Sequence, residues 1–164
     1  DEQKLLDITQ TCDFQFSDRA GIMTVHIDGS DVTEQIRSPE VTANARYIAV
    51  APRVREKLVQ MQRRFAAGRH KIVTEGRDQG TVAFDDADIK FYLTADPAER
   101  ARRRRAELLP KGEAGSLDQI QKAIEQRDKS DHDRAVGPLK PADDAIIVET
   151  KNMSIEQVVD KLES

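Results

Sequence analysis

Apolar and polar residues alternate over two short stretches near the start of the chain. Residues 14–16 and 22–27 show the two-residue period of β-strands, and Asp18-Arg19-Ala20-Gly21 between them suits a turn. A further turn is predicted at Asp28-Gly29-Ser30. We therefore predict an antiparallel hairpin, preceded by a short amphipathic helix over residues 3–9.

Two helices are predicted next. Ser38-Pro39-Glu40 combines a side-chain cap, a proline at the first helical position and an acid in the first turn, so a helix should run to about residue 50. The second helix should start at Pro52, and its apolar residues fall at helical spacing on one buried stripe: Val54, Leu58, Met61 and Phe65. Arg55 lies off this stripe. It could be a solvated charge or reach into a cleft, and the sequence alone favours the solvated charge.

A short apolar run at Ile72 and Val73 ends abruptly in Glu75-Gly76-Arg77-Asp78. This pattern predicts a buried parallel strand reaching its carboxyl end, where ligands bind in open α/β sheets. Arg77 offers a planar fork for a phosphate or carboxylate, and Asp78 is an acceptor when ionised. A strand-end turn with a local Arg–Asp pair explains the pattern about equally well.

The rest of the chain alternates between strand and helix patterns. Strands are predicted at residues 88–95 and 145–149. One helix should follow Asp96, with Glu99 reaching back to the cap, and another should open with a capping box at Ser116. A last helix over residues 154–162 should bury its apolar residues, which are Ile155, Val158, Val159 and Leu162. Alternation of this kind predicts an α/β fold with a parallel sheet.

Two groups of charged residues are candidates for anion binding. Five arginines lie within six positions of one helix, at Arg100, Arg102, Arg103, Arg104 and Arg105. They form either a solvated face or a site for phosphate oxygens. Arg127, Asp131 and Arg134 follow at i, i+4 and i+7, so they should share one helical face. That face is either a self-neutralising network or a site for a phosphorylated sugar.

Composition narrows the possible classes of protein. The 164 residues suit one domain, and a net charge of −4 provides no global basic field for nucleic acid. The single cysteine excludes an internal disulfide, and no apolar run approaches the roughly 20 residues of a membrane helix. We expect a soluble cytoplasmic protein that binds neither membranes nor nucleic acid. A chain that opens with Asp-Glu-Gln rather than Met is expected to be a fragment or a processed product.

Five segments, in this order, resemble bacterial cytidylate kinase: DGSDVTEQIRSPEV, APRVREKLVQMQRRFA, TEGRDQGTVAF, KFYLTADPAERARRR and QRDKSDHDRAVGPLKPADDAIIVET. The resemblance covers nearly the whole chain. It implies transfer of the γ-phosphoryl group of ATP to CMP or dCMP, with Mg²⁺, by a monomer when intact. It also implies a single domain over residues 1–164 with a P-loop kinase fold: a parallel sheet flanked by helices. Within it, residues 13–50 would form the antiparallel NMP-binding insertion, and residues 71–164 the remaining core with a lid around 100–115.

The resemblance also implies a role for individual residues. Arg55 and Asp78 would hydrogen-bond the cytosine edge, and Arg77 would bind phosphate. Arg127, Asp131 and Arg134 would hold the ribose and phosphates, so that Arg77, Arg127 and Arg134 are the candidate catalytic residues. Glu75 would hold a water on magnesium, with no direct metal ligand, and Arg100, Arg103 and Arg104 would belong to the lid.

The chain departs from the family pattern because it contains no Gly-x-x-x-x-Gly-Lys-Ser/Thr phosphate loop. We expect an N-terminally truncated cytidylate kinase that is inactive alone, carries the CMP-binding half, and lacks a first strand between those at Ile72 and at residues 90–95. Such a chain should leave unpaired strand edges and an open apolar slot. The alternative is a non-catalytic module that binds nucleotides or a partner, and the coding sequence upstream would distinguish the two.

Overall fold

The structure, a computed structural model, describes residues 1–19, 22–112 and 115–164. The chain forms two compact units, Asp1–Thr74 (unit 1) and Glu75–Ser164 (unit 2). Within the described residues, no helix has the length and apolar character needed to cross a membrane.

Unit 1 contains the predicted hairpin. Helix α1 (Glu2–Thr11) precedes β1 (Phe14–Arg19) and β2 (Ile22–Ile27), which pair antiparallel from Phe14↔Ile27 to Arg19↔Ile22. A short β3 (Ser30–Asp31) pairs with β2 across Asp28 and Gly29, whose φ angles of 50° and 78° suit the tight turn. The hairpin is confirmed, but Ala20 and Gly21 of its predicted turn lie outside the described residues.

Two helices that begin with a proline complete unit 1. Helix α2 (Pro39–Ala49) begins where predicted, because the Ser38 side chain accepts a hydrogen bond from the backbone N–H of Val41. Helix α3 (Pro52–Ala67) packs against α1. The core between them consists of Leu6, Ala51 and Val54, with Leu58 packed alongside. The predicted apolar stripe of α3 therefore faces this core at its N-terminal end.

Unit 2 has the predicted parallel α/β order. Its elements are a π-helical turn (Gln79–Ala83), β4 (Phe91–Thr94), α4 (Pro97–Leu108), a 3₁₀ turn (Leu109–Lys111), α5 (Leu117–Asp133), β5 (Ile146–Glu149) and α6 (Ile155–Glu163). Strands β4 and β5 pair in parallel from Phe91↔Ile146 to Thr94↔Glu149. Helix α4 packs against α5, which begins with the predicted capping box at Ser116.

Two sequence-based predictions are wrong. Residues 71–74 form no strand, and the side chain of Val73 is 99% exposed rather than buried. A strand is stabilised by pairing, and no described segment pairs with this one. In α6, Ile155 is 80% and Val159 44% exposed, because this helix has only slight contact with other described elements.

The sheet of unit 2 also exposes apolar side chains. Strands β4 and β5 pair only with each other among the described residues, and Leu93 and Ile147 are more than half exposed. That a first strand, missing from these residues, would lie in the sheet between the Ile72 segment and β4 stays a prediction.

Candidate functional site

The site begins at a tight turn that follows Arg77 and Asp78. The backbone carbonyl of Asp78 accepts hydrogen bonds from the N–H groups of Val82 (2.9 Å) and Ala83 (3.2 Å), and Phe84 donates to Gln79 (2.7 Å). Bonds that span five residues make this a π-helical turn, a form often found at functional sites. The turn fixes the backbone at Asp78, directly after Arg77, and Asp78 is buried.

Three arginines surround one carboxylate, and we name Arg77, Arg127, Asp131 and Arg134 the Arg–Asp cluster. The Asp131 carboxylate lies 3.1 Å from Nε of Arg77, 3.7 Å from Nη1 of Arg134 and 3.9 Å from Nε of Arg127. The Asp131 side chain is 18% exposed and that of Arg134 is 9% exposed, whereas Arg127 is 65% exposed. The structure thus places together the three residues of the predicted anionic-ligand face and the arginine of the GRD segment.

The geometry of Arg134 differs from the prediction. Helix α5 ends at Asp133, and Arg134 has extended backbone angles (φ −68°, ψ 140°), so it does not continue the helical face. Its Nε donates to the carbonyl of Gly137, and the N–H of Leu139 donates to the carbonyl of Asp131 (2.8 Å). The segment after α5 therefore folds back over the helix end and turns the Arg134 guanidinium toward Asp131.

The cluster is electrostatically suited to an anion. Three guanidinium groups and one carboxylate leave it with two positive charges in excess. Within the described part of the chain, the buried Nη2 of Arg134 has no hydrogen-bond partner. Guanidinium groups bind phosphate and carboxylate oxygens well because they combine charge with planar pairs of donors.

A cavity of about 270 Å³ adjoins this cluster at the carboxyl end of β4. Its polar lining includes Arg77, Thr94, Arg100, Asp128 and His132. Arg100 is already engaged there, because its guanidinium donates through two nitrogens to the Asp128 carboxylate. This bond also ties α4 to α5.

Arg103 and Arg104 occupy different environments. The Arg103 guanidinium bonds the Glu99 carboxylate (2.9 Å) and both the hydroxyl (3.1 Å) and the carbonyl (2.5 Å) of Thr150, so it joins α4 to the end of β5. Glu99, expected to reach back to the helix cap, makes this ion pair instead. Arg104 pairs with Glu107 and is 57% exposed. Their assignment to a lid stays a prediction.

The remaining candidates are dispersed. Glu75 is exposed, and Arg55 is half-buried on α3 in unit 1. No group of three or more metal-binding side chains occurs among the residues that the structure describes.

At the start of α4, the hydrogen bond from Lys151 and that from the Glu99 N–H hold the pKa of Asp96 below its ordinary value.

Sequence reasoning missed the contacts that support the site. Thr150 is far in the sequence from its partner Arg103, and Lys90 is far from its partner Asp144. The strand-end position of Thr150, just after β5, was the available signal for it.

Comparisons with known proteins identify relatives over the whole chain. The family model described as cytidylate kinase matches residues 1–164. The cytidylate kinase of Rhodopirellula baltica is 47% identical over 148 residues, which are 88% of this chain and 64% of that protein. That of Pelotomaculum thermopropionicum is 49% identical over 143 residues, 87% of this chain and 63% of that protein. That of Lactobacillus gasseri is 39% identical over 162 residues, 99% of this chain and 70% of that protein.

The chain thus spans about 60 to 70% of the length of these relatives. The family match and the identities cover nearly all of it. The chain belongs to the cytidylate kinase family.

Proposed function

We propose that this chain carries the part of a cytidylate kinase that accepts CMP or dCMP, and that the whole protein transfers the γ-phosphoryl group of ATP to it. The observation that carries the proposal is the Arg–Asp cluster, in which three guanidinium groups converge on one carboxylate within 3.1–3.9 Å. Family membership supports the reaction type.

The cluster would hold the phosphate of the monophosphate. Arg77, Arg127 and Arg134 would direct their donors to its oxygens, and Asp131 would then accept from the sugar hydroxyls. Phosphoryl transfer requires mainly positioning and neutralisation of negative charge, which fixed guanidinium groups supply. Arg134 is suited to this role because its buried guanidinium is held by Gly137 and retains a donor.

Asp78 would discriminate cytosine from uracil, with Arg55 as the second contact to the base. An ionised carboxylate accepts a hydrogen bond from the exocyclic amine of cytosine. Uracil has a carbonyl at that position, and two acceptors cannot form a hydrogen bond with each other. The burial of the Asp78 side chain strengthens this discrimination, because an unsatisfied buried polar pair is costly.

The donor nucleotide would bind residues outside these 164, because the sequence contains no phosphate loop. Mg²⁺ binds proteins through one or two carboxylates together with substrate phosphates. The exposed Glu75 is compatible with such a water-mediated contact. When bound, Mg²⁺ would neutralise charge on the ATP phosphates.

The test is CMP phosphorylation by the protein expressed from its whole reading frame. Arg77→Ala and Asp78→Ala should each lower kcat/KM for CMP by about 100-fold, since each removes charge or hydrogen bonding at the proposed site. Lys129→Ala, an exposed residue on α5, is the control. Full activity in both site variants would overturn the assignment. The 164-residue chain alone should show no turnover above a blank without protein.

A non-catalytic nucleotide-binding module is the alternative function. The lack of a phosphate loop within these residues is the observation that favours it. A reading frame without such a loop, in a protein that binds CMP but does not phosphorylate it, would establish this alternative.

A further inference from the structure

Lys90 makes an unusual set of contacts at the start of β4. Its side chain is 9% exposed, and its ammonium group donates to both carboxylate oxygens of Asp144 (3.0 and 2.8 Å) and to the backbone carbonyl of Asp85 (2.7 Å). The ammonium group thus has three acceptors, as many as it has protons. A nearly buried lysine requires such partners, because an unpaired buried charge is very costly.

The same side chain lies against the π-helical turn. A Cβ atom on Gly80 would lie 3.4–3.7 Å from the Cβ, Cγ and Cδ atoms of Lys90, which is van der Waals contact. The methylenes of Lys90 therefore cover one side of the turn at Gly80, while its ammonium group holds the residue at the exit of the turn, Asp85. The backbone of Lys90 is itself fixed, since its carbonyl accepts from the N–H of Ile146 (2.8 Å).

The turn is consequently held at both ends. At its entry the carbonyl of Asp78 accepts two backbone hydrogen bonds, from Val82 and Ala83. At its exit Lys90 links Asp85 to Asp144, which lies just before β5. Because the turn is short, a rotation at its exit would be transmitted to Asp78 and Arg77 at its entry.

We propose that Lys90, fixed by Asp144, is a positioning residue that sets the orientation of Arg77 and Asp78 for their ligand. The effect on the ligand rests on the proposed function, but the effect on the turn does not. A merely structural pair would stabilise unit 2 without changing the turn or the affinity for CMP.

The first test measures the turn by amide hydrogen exchange in the 164-residue chain. Lys90→Met and Asp144→Asn should make the amides of Val82, Ala83 and Phe84 exchange about tenfold faster, because the turn loses its restraint at the exit. The amide of Leu139, bonded to Asp131, should not change. Lys90→Arg, which keeps the charge, should restore part of the protection, and Lys129→Met is the matched control on an exposed lysine. Unchanged exchange at the turn would refute the proposal.

The second test uses the protein expressed from its whole reading frame. The KM for CMP should rise about tenfold in Lys90→Met, while kcat at saturating CMP should stay within about twofold. A KM equal to that of the wild type would overturn the proposal, even if the turn exchanges faster. If the wild type does not phosphorylate CMP, the proposed function has failed, and hydrogen exchange alone then decides whether Lys90 positions the turn.

Discussion

Replacing Asp131 by Asn tests the electrostatics of the Arg–Asp cluster. The substitution preserves the shape of the side chain and one acceptor oxygen but removes the negative charge. Three arginines would then lie close together with no carboxylate between them. We expect the folded chain to lose stability because this repulsion is absent in the unfolded state.

The size of the loss follows from the distances and exposures. At about 4 Å and an effective dielectric constant of about 20, an Arg–Asp pair is attracted by about 4 kcal/mol before the cost of desolvation is subtracted. Breaking a fully buried pair costs about 3–5 kcal/mol and an exposed pair about 1 kcal/mol or less. Asp131 is 18% exposed, and its partners range from 9% to 65%. We therefore expect the free energy of unfolding to fall by about 2 kcal/mol.

Urea unfolding followed by far-UV circular dichroism measures this loss. With a slope of about 2 kcal/mol per molar urea, the midpoint should fall by about 1 M at low salt. The difference should shrink in 1 M NaCl, where the screening length is about 3 Å. Inorganic phosphate should also restore the midpoint, because it binds the folded state in place of the lost carboxylate.

The matched control is Asp133→Asn, which makes the same change two residues away. Asp133 is 59% exposed and is paired only with His132 among the described residues. Equal midpoints for Asp131→Asn and Asp133→Asn, or a loss independent of salt, would refute the reasoning.

Two further predictions concern α4 and acidic pH. Arg103→Ala should destabilise the chain by about 2 kcal/mol because it removes the bonds that the Arg103 guanidinium makes to Glu99 and Thr150. Arg104→Ala should cost at most about 0.5 kcal/mol, since the Arg104–Glu107 pair is exposed; equal losses in the urea midpoints of the two variants would contradict these contacts. Hydrogen bonds from Lys151 and Lys90 lower the pKa of Asp96 and Asp144 respectively. The unfolded chain therefore binds protons more readily than the folded chain, so stability should be steady above about pH 5 and fall as the pH decreases through the depressed pKa values. A urea midpoint that does not fall between pH 6 and pH 3 would contradict this.

Local sequence signals predicted much of the fold. The alternating pattern of residues 14–27 predicted the hairpin correctly, because β1 and β2 are close in the sequence and pair with each other. The Ser116 capping box and the Ser38-Pro39 start specify helix ends through neighbouring residues only. These signals succeed because the interactions they describe are local.

Predictions that depend on distant partners were less accurate. Ile72 and Val73 have the composition of a strand, but a strand forms only where another strand pairs with it. Arg77 and Asp131 form an ion pair although β4, α4 and most of α5 separate them in the sequence, and only the family resemblance associated them. The i, i+4, i+7 spacing placed Arg134 near Asp131, although the helix ends one residue earlier. Spacing within an element predicts neighbours but not where the element ends.

Under the proposed function, the Asp131 carboxylate would prepare the phosphate site before its ligand binds. Three guanidinium groups held close together repel one another, and without an anion they would turn toward solvent. Asp131 lies on α5, one turn from Arg127 and three residues from Arg134, so its carboxylate offsets the repulsion between these guanidinium groups. A phosphate dianion carries more charge than a carboxylate and can accept from several donors at once. The phosphate would therefore bind the guanidinium groups with little rearrangement, and Asp131 would then be available to bind a sugar hydroxyl. Most of the free-energy cost of placing three positive charges close together would thus arise during folding and not during binding.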